Sequence, residues 1–382
     1  MTYNIRKAET KDILSIIQLY RKAYGGTYPD PTFSEIETLE YAIETGSNSK
    51  LIFIALESDK PVASILFQYD KENLLSKAGA AVVHPDYRGK QLTKKLILHG
   101  IDYIHNNTIG MDVLYITTRT VHKAAQILTQ EIGFKHLGIF PNVHKTEEYE
   151  THALAALYFN DSLEKRYTNF THHPKIKNLF NIVEESLDLV DIPEAQAWEN
   201  KIYSGEVGLL EIIEAKEFVK LRSKLLFQKD EIDLAFFPFH EPNLLITSPR
   251  QNIEVFAYVN QTDKHCVITG CKIDKEVSFA DLFLKVSNIL RDRGVRYIEI
   301  IIRANRLNII DKICKAKFIP CGYVPAFQLE NGKRYDYVVF SKSFEILDLN
   351  NLELTGPNAK FLRNYIKLWE KQFIGDYFKD DN

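Results

Sequence analysis

The sequence predicts an α/β protein, a mixed sheet flanked by helices and followed by a second α/β domain. Three observations carry this. The first half orders its elements as strand, two helices, three strands, helix, strand, helix and two strands, an order that a mixed sheet with helices on its faces accommodates. The chain has 382 residues, enough for two domains at about 100–200 residues each. The two halves can also be laid over each other with a constant shift of 184 residues, which places Gly110 on Gly294, Ile116 on Ile300, Arg119 on Arg303, Phe134 on Phe318, Gly138 on Gly322 and Pro141 on Pro325. These identities fall at equivalent places in a strand–helix–strand–turn series, so an internal duplication is expected. The competing reading is two unrelated α/β units that share a common pattern.

The elements follow from pattern. Residues 3–8 read as a short strand. Ile13, Ile16, Ile17 and Tyr20 fall at i, i+3, i+4 and i+7 and predict a helix with one apolar face. Gly25-Gly26 and Pro29-Asp30-Pro31 break the chain before a second short helix over 33–45. Strands are expected at Leu51–Leu56 and Val62–Tyr69, with Ser58-Asp59-Lys60-Pro61 as the hairpin turn. A third runs through Ala80–Val83, followed by a helix from about Gly89 to Asn106, a strand at Val113–Thr117, a helix over 120–132, and strands near 134–139 and 152–159. These complete a first domain over 1–160.

Residues 161–205 are more polar and read as a linker with one helical stretch, Ile176–Leu187, and with His172-His173 as a solvated turn. A second α/β domain is expected over 206–345. Its strands are predicted near 207–212, 253–259, 265–273, 296–302, 318–323 and 335–341, and its helices near 214–227, 278–292 and 306–316. Residues 346–382 hold a final helix, at 357–373, and a polar tail.

Composition excludes several classes. The net charge is −3, which leaves no basic excess to draw in nucleic acid or an anionic membrane. No apolar run approaches the roughly 18 residues of a membrane span, and the first residues lack a signal-peptide core. The expected compartment is the cytoplasm, with neither a nucleic acid nor a membrane as partner. The four cysteines, Cys266, Cys271, Cys314 and Cys321, match no common zinc spacing. They are expected as free thiols, and no metal is expected.

The segment that carries chemistry runs Val82-Val83-His84-Pro85-Asp86-Tyr87-Arg88-Gly89-Lys90-Gln91-Leu92-Thr93-Lys94-Lys95-Leu96. It is an apolar strand, a proline stop, a basic glycine-containing turn and a helix. A helix N-terminus offers unpaired N–H groups and partial positive charge. A basic turn that opens one suits a pyrophosphate.

This segment resembles the acyl-CoA signature of the GCN5-related N-acetyltransferase (GNAT) family, Arg/Gln-x-x-Gly-x-Gly/Ala after a Val-x-Pro-x-Tyr-Arg-Gly lead-in. Arg88 stands at the first position, while Gln91 and Thr93 stand at the two later glycine positions. A second resemblance lies in His122-Lys123-Ala124-Ala125-Gln126-Ile127-Leu128-Thr129-Gln130-Glu131-Ile132-Gly133-Phe134, similar to the family's Asn-x-x-Ala-x-x-Leu-Tyr-x-x-x-Gly-Phe. Ala125, Leu128, Gly133 and Phe134 match. His122 replaces the usual Asn, and Thr129 the usual Tyr. The opening Ile5-Arg6-Lys7-Ala8, Asp12-Ile13 and Leu19-Tyr20 is family-like as well.

The resemblance implies a GNAT-type mixed sheet and an N-acyltransferase that moves an acetyl or other acyl group from acetyl-CoA to the amine of a small molecule by direct attack. It implies cofactor contacts at Val82, Val83, Arg88, Gly89, Lys90, Gln91, Leu92, Thr93, His122 and Ala125. His122 and Thr129 are the candidate catalytic side chains; the family's strand Glu falls near Lys77, so no base is assigned, and Glu57, Asp70 and Glu72 are the nearby carboxylates. The second domain has Lys272-Ile273-Asp274-Lys275-Glu276-Val277-Ser278-Phe279 where a basic loop would stand, which points to a degenerate GNAT-like copy without a cofactor site. Such a copy could mimic a dimer partner and make a monomer sufficient. The alternative is a non-catalytic acyl-CoA-binding or interaction module.

Overall fold

The computed structural model describes residues 3–26, 28, 30–44, 49–107, 110–145, 148–198, 205–274 and 276–375. Part of the linker expected over 161–205 and most of the polar tail after 373 lie outside the described residues. The chain forms two compact units. One comprises residues 1–118, 124–135 and 155–164; the other comprises 119–123, 136–154 and 165–382.

The first unit begins with β1 (Asn4–Lys7), α1 (Ile13–Tyr24) and α2 (Ile36–Glu44). Then come β2 (Lys50–Glu57), β3 (Lys60–Asp70), β4 (Leu75–Val83), α3 (Leu92–Asn107), β5 (Val113–Arg119) and α4 (Lys123–Ile132). Its strands lie in the order β1-β2-β3-β4-β5, antiparallel except for the parallel pair β4–β5. The predicted α1 stripe is the buried one: Ile13, Ile16, Ile17 and Tyr20 are all buried. The run Leu51–Leu56 is apolar without alternation because both sheet faces are covered. Phe53 and Ala55 pack among Phe67, Leu96, Ile97 and Ile104 toward α3, whereas Ile52 and Ile54 pack among Ile16, Tyr20 and Leu39 toward α1 and α2. Gly100 in α3 is required by packing, since a Cβ there would stand 2.4 Å from the Phe67 ring.

Two strands follow α4, β6 (Lys135–Lys145) and β7 (Tyr149–Tyr158). Then come α5 (Pro174–Leu187), β8 (Glu211–Ile213), α6 (Lys216–Gln228), β9 (Leu244–Thr247), β10 (Ile253–Asn260), β11 (His265–Ile273) and α7 (Phe279–Asp292). The chain continues through β12 (Tyr297–Arg303), α8 (Leu307–Lys315), β13 (Ile319–Glu330), β14 (Lys333–Ser343) and α9 (Gly356–Phe373). In the second unit, which holds residues 136–145 of β6 and 149–154 of β7, the strands run β7-β6-β13-β14-β12-β11-β10-β9-β8. The pairing of β6 with β13 is antiparallel and centres on Gly138 opposite Gly322, two residues that the 184-residue shift equates. A Cβ at Gly138 would stand 2.5 Å from the Cys321 carbonyl oxygen, so the strands approach at a point where only glycine fits.

The structure differs from the sequence reading in this unit. Strand β9 was not anticipated, because Leu244–Thr247 is only four residues long and lies between Pro242 and Pro249. His172 and His173 are not a solvated turn; they are 0 % and 2 % exposed. His172 Nε2 lies 2.9 Å from the Tyr323 hydroxyl, its ring packs 4.3 Å from that of Phe180, and His173 packs on Trp198. The helix of the expected linker, α5, buries Ile176, Leu179, Phe180 and Val183. Around His172 lies a buried polar network: Tyr323 donates to Asp336 Oδ2 at 2.7 Å, and Arg166 pairs with the same carboxylate. All four cysteines are free and buried.

Burial pushes His136, His152, His172 and His173 down to about 4. These groups stay neutral in the folded chain over a range where the unfolded chain binds protons. Stability is therefore expected to fall as pH drops from about 6.5 toward about 4. Thermal unfolding followed between pH 7.5 and 4.5 checks this: the midpoint should decrease across that interval, and a flat or rising midpoint contradicts it.

Candidate functional site

The site is built where β4 leaves β5. The two strands pair in parallel through Leu75–Val113, Ser76–Leu114, Lys77–Tyr115 and Ala78–Ile116, and the register ends there. On its other side β4 stays paired with β3 as far as Val83 opposite Ala63. Residues 79–83 are thus held as a strand by β3, while among the described residues their β5-facing edge has no partner strand. The cause is local. Between Gly79 and Val82 the pairing with β3 shifts register, and Ala80 adopts φ 51°, a bulge that turns the strand.

Helix α1 fixes the bulge. The Tyr20 hydroxyl donates to the Ala80 carbonyl, and the Tyr24 hydroxyl donates to the Ala81 carbonyl at 3.4 Å. Tyr20 is fully enclosed, stacked 4.1 Å from Phe33, and burial raises its phenol well above the ordinary tyrosine range. It acts as a neutral donor. The sequence places Tyr20 in the apolar stripe and in the family-like opening but gives it no role at this strand; the strand itself begins at Leu75, five residues before the expected Ala80, so that Gly79 lies inside it, a position that often marks a bulge.

Beyond β4, Pro85–Tyr87 form a single 3-10 turn, with the His84 ring accepting from the Asp86 N–H at 3.3 Å. Tyr87 donates its hydroxyl to Glu57, and Lys90 Nζ lies 4.4 Å from the centre of the Tyr87 ring. Gly89 (φ 78°) and Gln91 (φ 57°) are both left-handed. Gln91 thus supplies, without being glycine, the backbone conformation that a glycine would adopt freely. Its carbonyl accepts the first intrahelical bond of α3, from Lys95 N–H at 3.1 Å. The N–H groups of Leu92, Thr93 and Lys94 precede that bond and point out of the helix end. The first turn of α3 has no acidic residue, and Arg88, Gly89 and Lys90 are exposed around it. This end of the helix presents donors and positive charge to an anion.

The predicted site residues divide as follows. Val82 is buried against α1 and α2, and Val83 is half-buried on the opposite face. Arg88 through Thr93 form the turn and first residues of α3. Helix α4 is tied to this end by Lys94, whose Nζ bonds Glu131 at 2.9 Å; Ala125 lies on its exposed face. Thr129 is 1 % exposed and donates its hydroxyl to the Gln126 carbonyl at 2.8 Å, the bond to its own helix that threonine commonly makes. His122 belongs to the second unit, where its side chain is 80 % exposed with Nδ1 3.8 Å from Glu353. Of the carboxylates near in sequence, Glu57 accepts from Tyr87, and Asp70 accepts from Glu72 and Asn73 in the β3–β4 turn. Lys77 lies over the Tyr115 ring. Among the described residues no group of three or more His, Cys, Asp or Glu side chains could hold a metal ion, and no helix is long and apolar enough to cross a membrane.

The left-handed Gln91 yields a direct test. A β-branched residue is strained there, so Gln91→Val should lower stability by about 1–2 kcal/mol. Gln91→Gly relieves the strain but adds chain entropy and should stay within about 1 kcal/mol of the parent. Urea unfolding of the two variants checks the order, and a Val variant as stable as the Gly variant contradicts it.

The family described as acetyltransferase (GNAT) matches residues 13–134. Over 114 residues the chain is 27 % identical to the N-acetyltransferase YodP of Bacillus subtilis (strain 168), a match that covers 30 % of this chain and 38 % of YodP. The chain thus spans well under half the length of that curated relative. Among solved structures, it is similar to the ribosomal-protein-S18-alanine N-acetyltransferase of Escherichia coli, with 22 % identity and a TM-score of 0.35 over 41 % of this chain and 94 % of that one. It is also similar to yncA of Salmonella typhimurium with its cofactor acetyl-CoA, with 18 % identity and a TM-score of 0.38 over 42 % of this chain and 96 % of that one. By the family match alone, residues 13–134 of this chain are an acetyltransferase (GNAT) family domain.

Proposed function

We propose that the chain is an N-acyltransferase that carries an acetyl group from acetyl-CoA to the amine of a small molecule. The observation that carries this reading is the open edge of β4 leading through one turn to the N-terminus of α3, whose first turn holds no acidic residue and stands beside Arg88 and Lys90. Three parts of one ligand find three features in sequence: the pyrophosphate meets the N–H groups and cations of residues 88–94, the pantetheine arm pairs with the β4 edge at 79–83, and the thioester lies at the bulge. Val82, Val83, Arg88, Gly89, Lys90, Gln91, Leu92 and Thr93 are the proposed contacts, with Ala125 as the further contact on α4 that the family resemblance implies.

In the proposed reaction the neutral amine attacks the thioester carbonyl carbon. A C–N bond forms, the C–S bond breaks, and a backbone N–H of β4 stabilises the oxyanion between them. The amine loses one proton and the departing thiolate gains one. Thr129 is a poor acid for that step, since its hydroxyl is spent on Gln126, and no side chain is assigned to the base. These two points favour the second reading, a non-catalytic acyl-CoA-binding module, and turnover is what separates them.

We further propose the domain order 1–160 for the cofactor domain, 161–205 for the helical linker, 206–345 for a second GNAT-like copy and 346–382 for the C-terminal helix and tail. Matched local details support the duplication. The Leu74 carbonyl accepts from the N–H groups of Asp112 and Val113 at 2.8 and 3.3 Å, and the Lys264 carbonyl accepts from Arg296 and Tyr297 at the same two distances. Asn142 and Ala326, equated by the 184-residue shift, both take φ near 60° (60° and 54°).

Titration calorimetry with acetyl-CoA tests the cofactor half, and Arg88→Glu should weaken binding at least about tenfold by placing a like charge at the anion site. At about 100 times its Kd, acetyl-CoA should stabilise the parent by roughly 2.7 kcal/mol, and ATP should not reproduce the shift. Unchanged affinity in the Glu variant refutes the assigned anion site. Thioester-dependent release of CoA with any member of a panel of small amines, amino acids and peptides supports the enzyme; saturable binding without release across the panel favours the binding module.

A further inference from the structure

The second unit repeats the parting of strands and then closes it. Strands β11 and β12 pair in parallel through His265–Tyr297, Cys266–Ile298, Val267–Glu299 and Ile268–Ile300, and stop there. These four pairs correspond in order to the four pairs of β4 with β5. By that register Cys271 is the counterpart of Ala81. The edge of β11 beyond Ile268 is not open, however. Cys271 donates its N–H to the Asp233 carbonyl at 2.8 Å and accepts the Asp233 N–H at 2.6 Å, an antiparallel bridge.

The segment that supplies this bridge is fixed on every side. It begins just after α6, where Glu231 N–H bonds the Leu226 carbonyl at 3.0 Å. Ile232 lies against β11 so closely that a Cβ on Gly270 would stand 2.7 Å from its Cδ1. Arg306, at the start of α8, forks onto both carboxylate oxygens of Asp233, with the Nη2–Oδ2 distance at 2.9 Å. Phe236 then packs its ring 4.8 Å from Tyr337 and 5.4 Å from Phe327. The anion end of the cleft is closed as well: Ser278 caps α7 by accepting the Asp281 N–H at 3.4 Å, and Asp281 puts a negative charge in the first turn.

We propose that residues 231–236 are an internal occupant of the second cleft, a strap that adds to the edge of β11 in the place the acyl-carrying arm takes on β4, so that the chain binds one acyl-CoA and not two. The inference rests on the proposed acyl-CoA reading of the first unit. Its physics is strand addition: main-chain bonds to a free edge give the affinity, and side chains in flanking pockets give the fit. Here the incoming strand is covalently attached, so its effective concentration is high and constant. The Arg306–Asp233 pair sets its position.

Two measurements on the full chain test this. Titration with acetyl-CoA should give one site per chain, and hydrogen exchange should show the Cys271 amide strongly protected. Arg306→Ala should speed exchange at Cys271 at least about tenfold by freeing the strap, while acetyl-CoA affinity stays within about twofold of the parent. Asp233→Asn, which keeps the size of the side chain and removes the ion pair, should act in the same direction if the Arg306 variant does not fold. Exchange of Cys271 at the open-chain rate in the parent, or two acetyl-CoA per parent chain, overturns the strap. No acetyl-CoA bound at all refutes the acyl-CoA reading of the first unit; the strap is then decided by Cys271 alone, supported by Arg306-dependent protection and overturned by its absence.

Discussion

The parting of β4 from β5 after Ala78 is the constraint on which the proposed chemistry depends. A strand with one paired edge and one open edge is costly, because the open N–H and C=O groups need partners. Here the cost is contained by fixing the strand from its other side and from below. Strand β3 holds β4 to Val83, the bulge at Ala80 turns it, and the Tyr20 and Tyr24 hydroxyls take up the carbonyls at 80 and 81. The edge is therefore rigid before any ligand arrives, and a ligand that pairs with it loses little to ordering the protein.

The same edge occurs twice with opposite outcomes. In the first unit, the four parallel pairs end at a helix with no acid in its first turn and with Arg88, Gly89 and Lys90 exposed beside it. In the second, four corresponding pairs end at a strand edge occupied by Asp233 and at a helix start that carries Asp281. The four-pair parallel register is shared, and what each edge meets beyond it differs. On the duplication proposed above, the second copy keeps the sheet for architecture. Its β13 abuts β6 at Gly322 and Gly138, residues that the repeat equates.

Much of this was legible in the sequence, and the limits have physical causes. The stretch from Val82 to Leu96 announced a strand, a stop and a helix start, because apolar run, proline and glycine each act locally. The order of elements in the first unit followed from periodicity for the same reason. The bulge was harder to see: Ala80 takes a positive φ without being glycine, and its partner Tyr20 lies 60 positions away on α1. His172 and His173 looked like a wet turn because histidine beside proline is usually exposed; their burial is set by Phe180, Tyr323 and Trp198, none of which periodicity brings near. The strap was illegible for a similar reason, since Asp233 meets Cys271 and Arg306 only in three dimensions.

The most direct test of the central claim is a crystal structure of the chain with acetyl-CoA bound. The account predicts the pyrophosphate on the N–H groups of residues 89–94 beside Arg88, with the pantetheine arm hydrogen-bonded along residues 79–83. A pyrophosphate seated elsewhere, or an arm that makes no bond to that edge of β4, would contradict it.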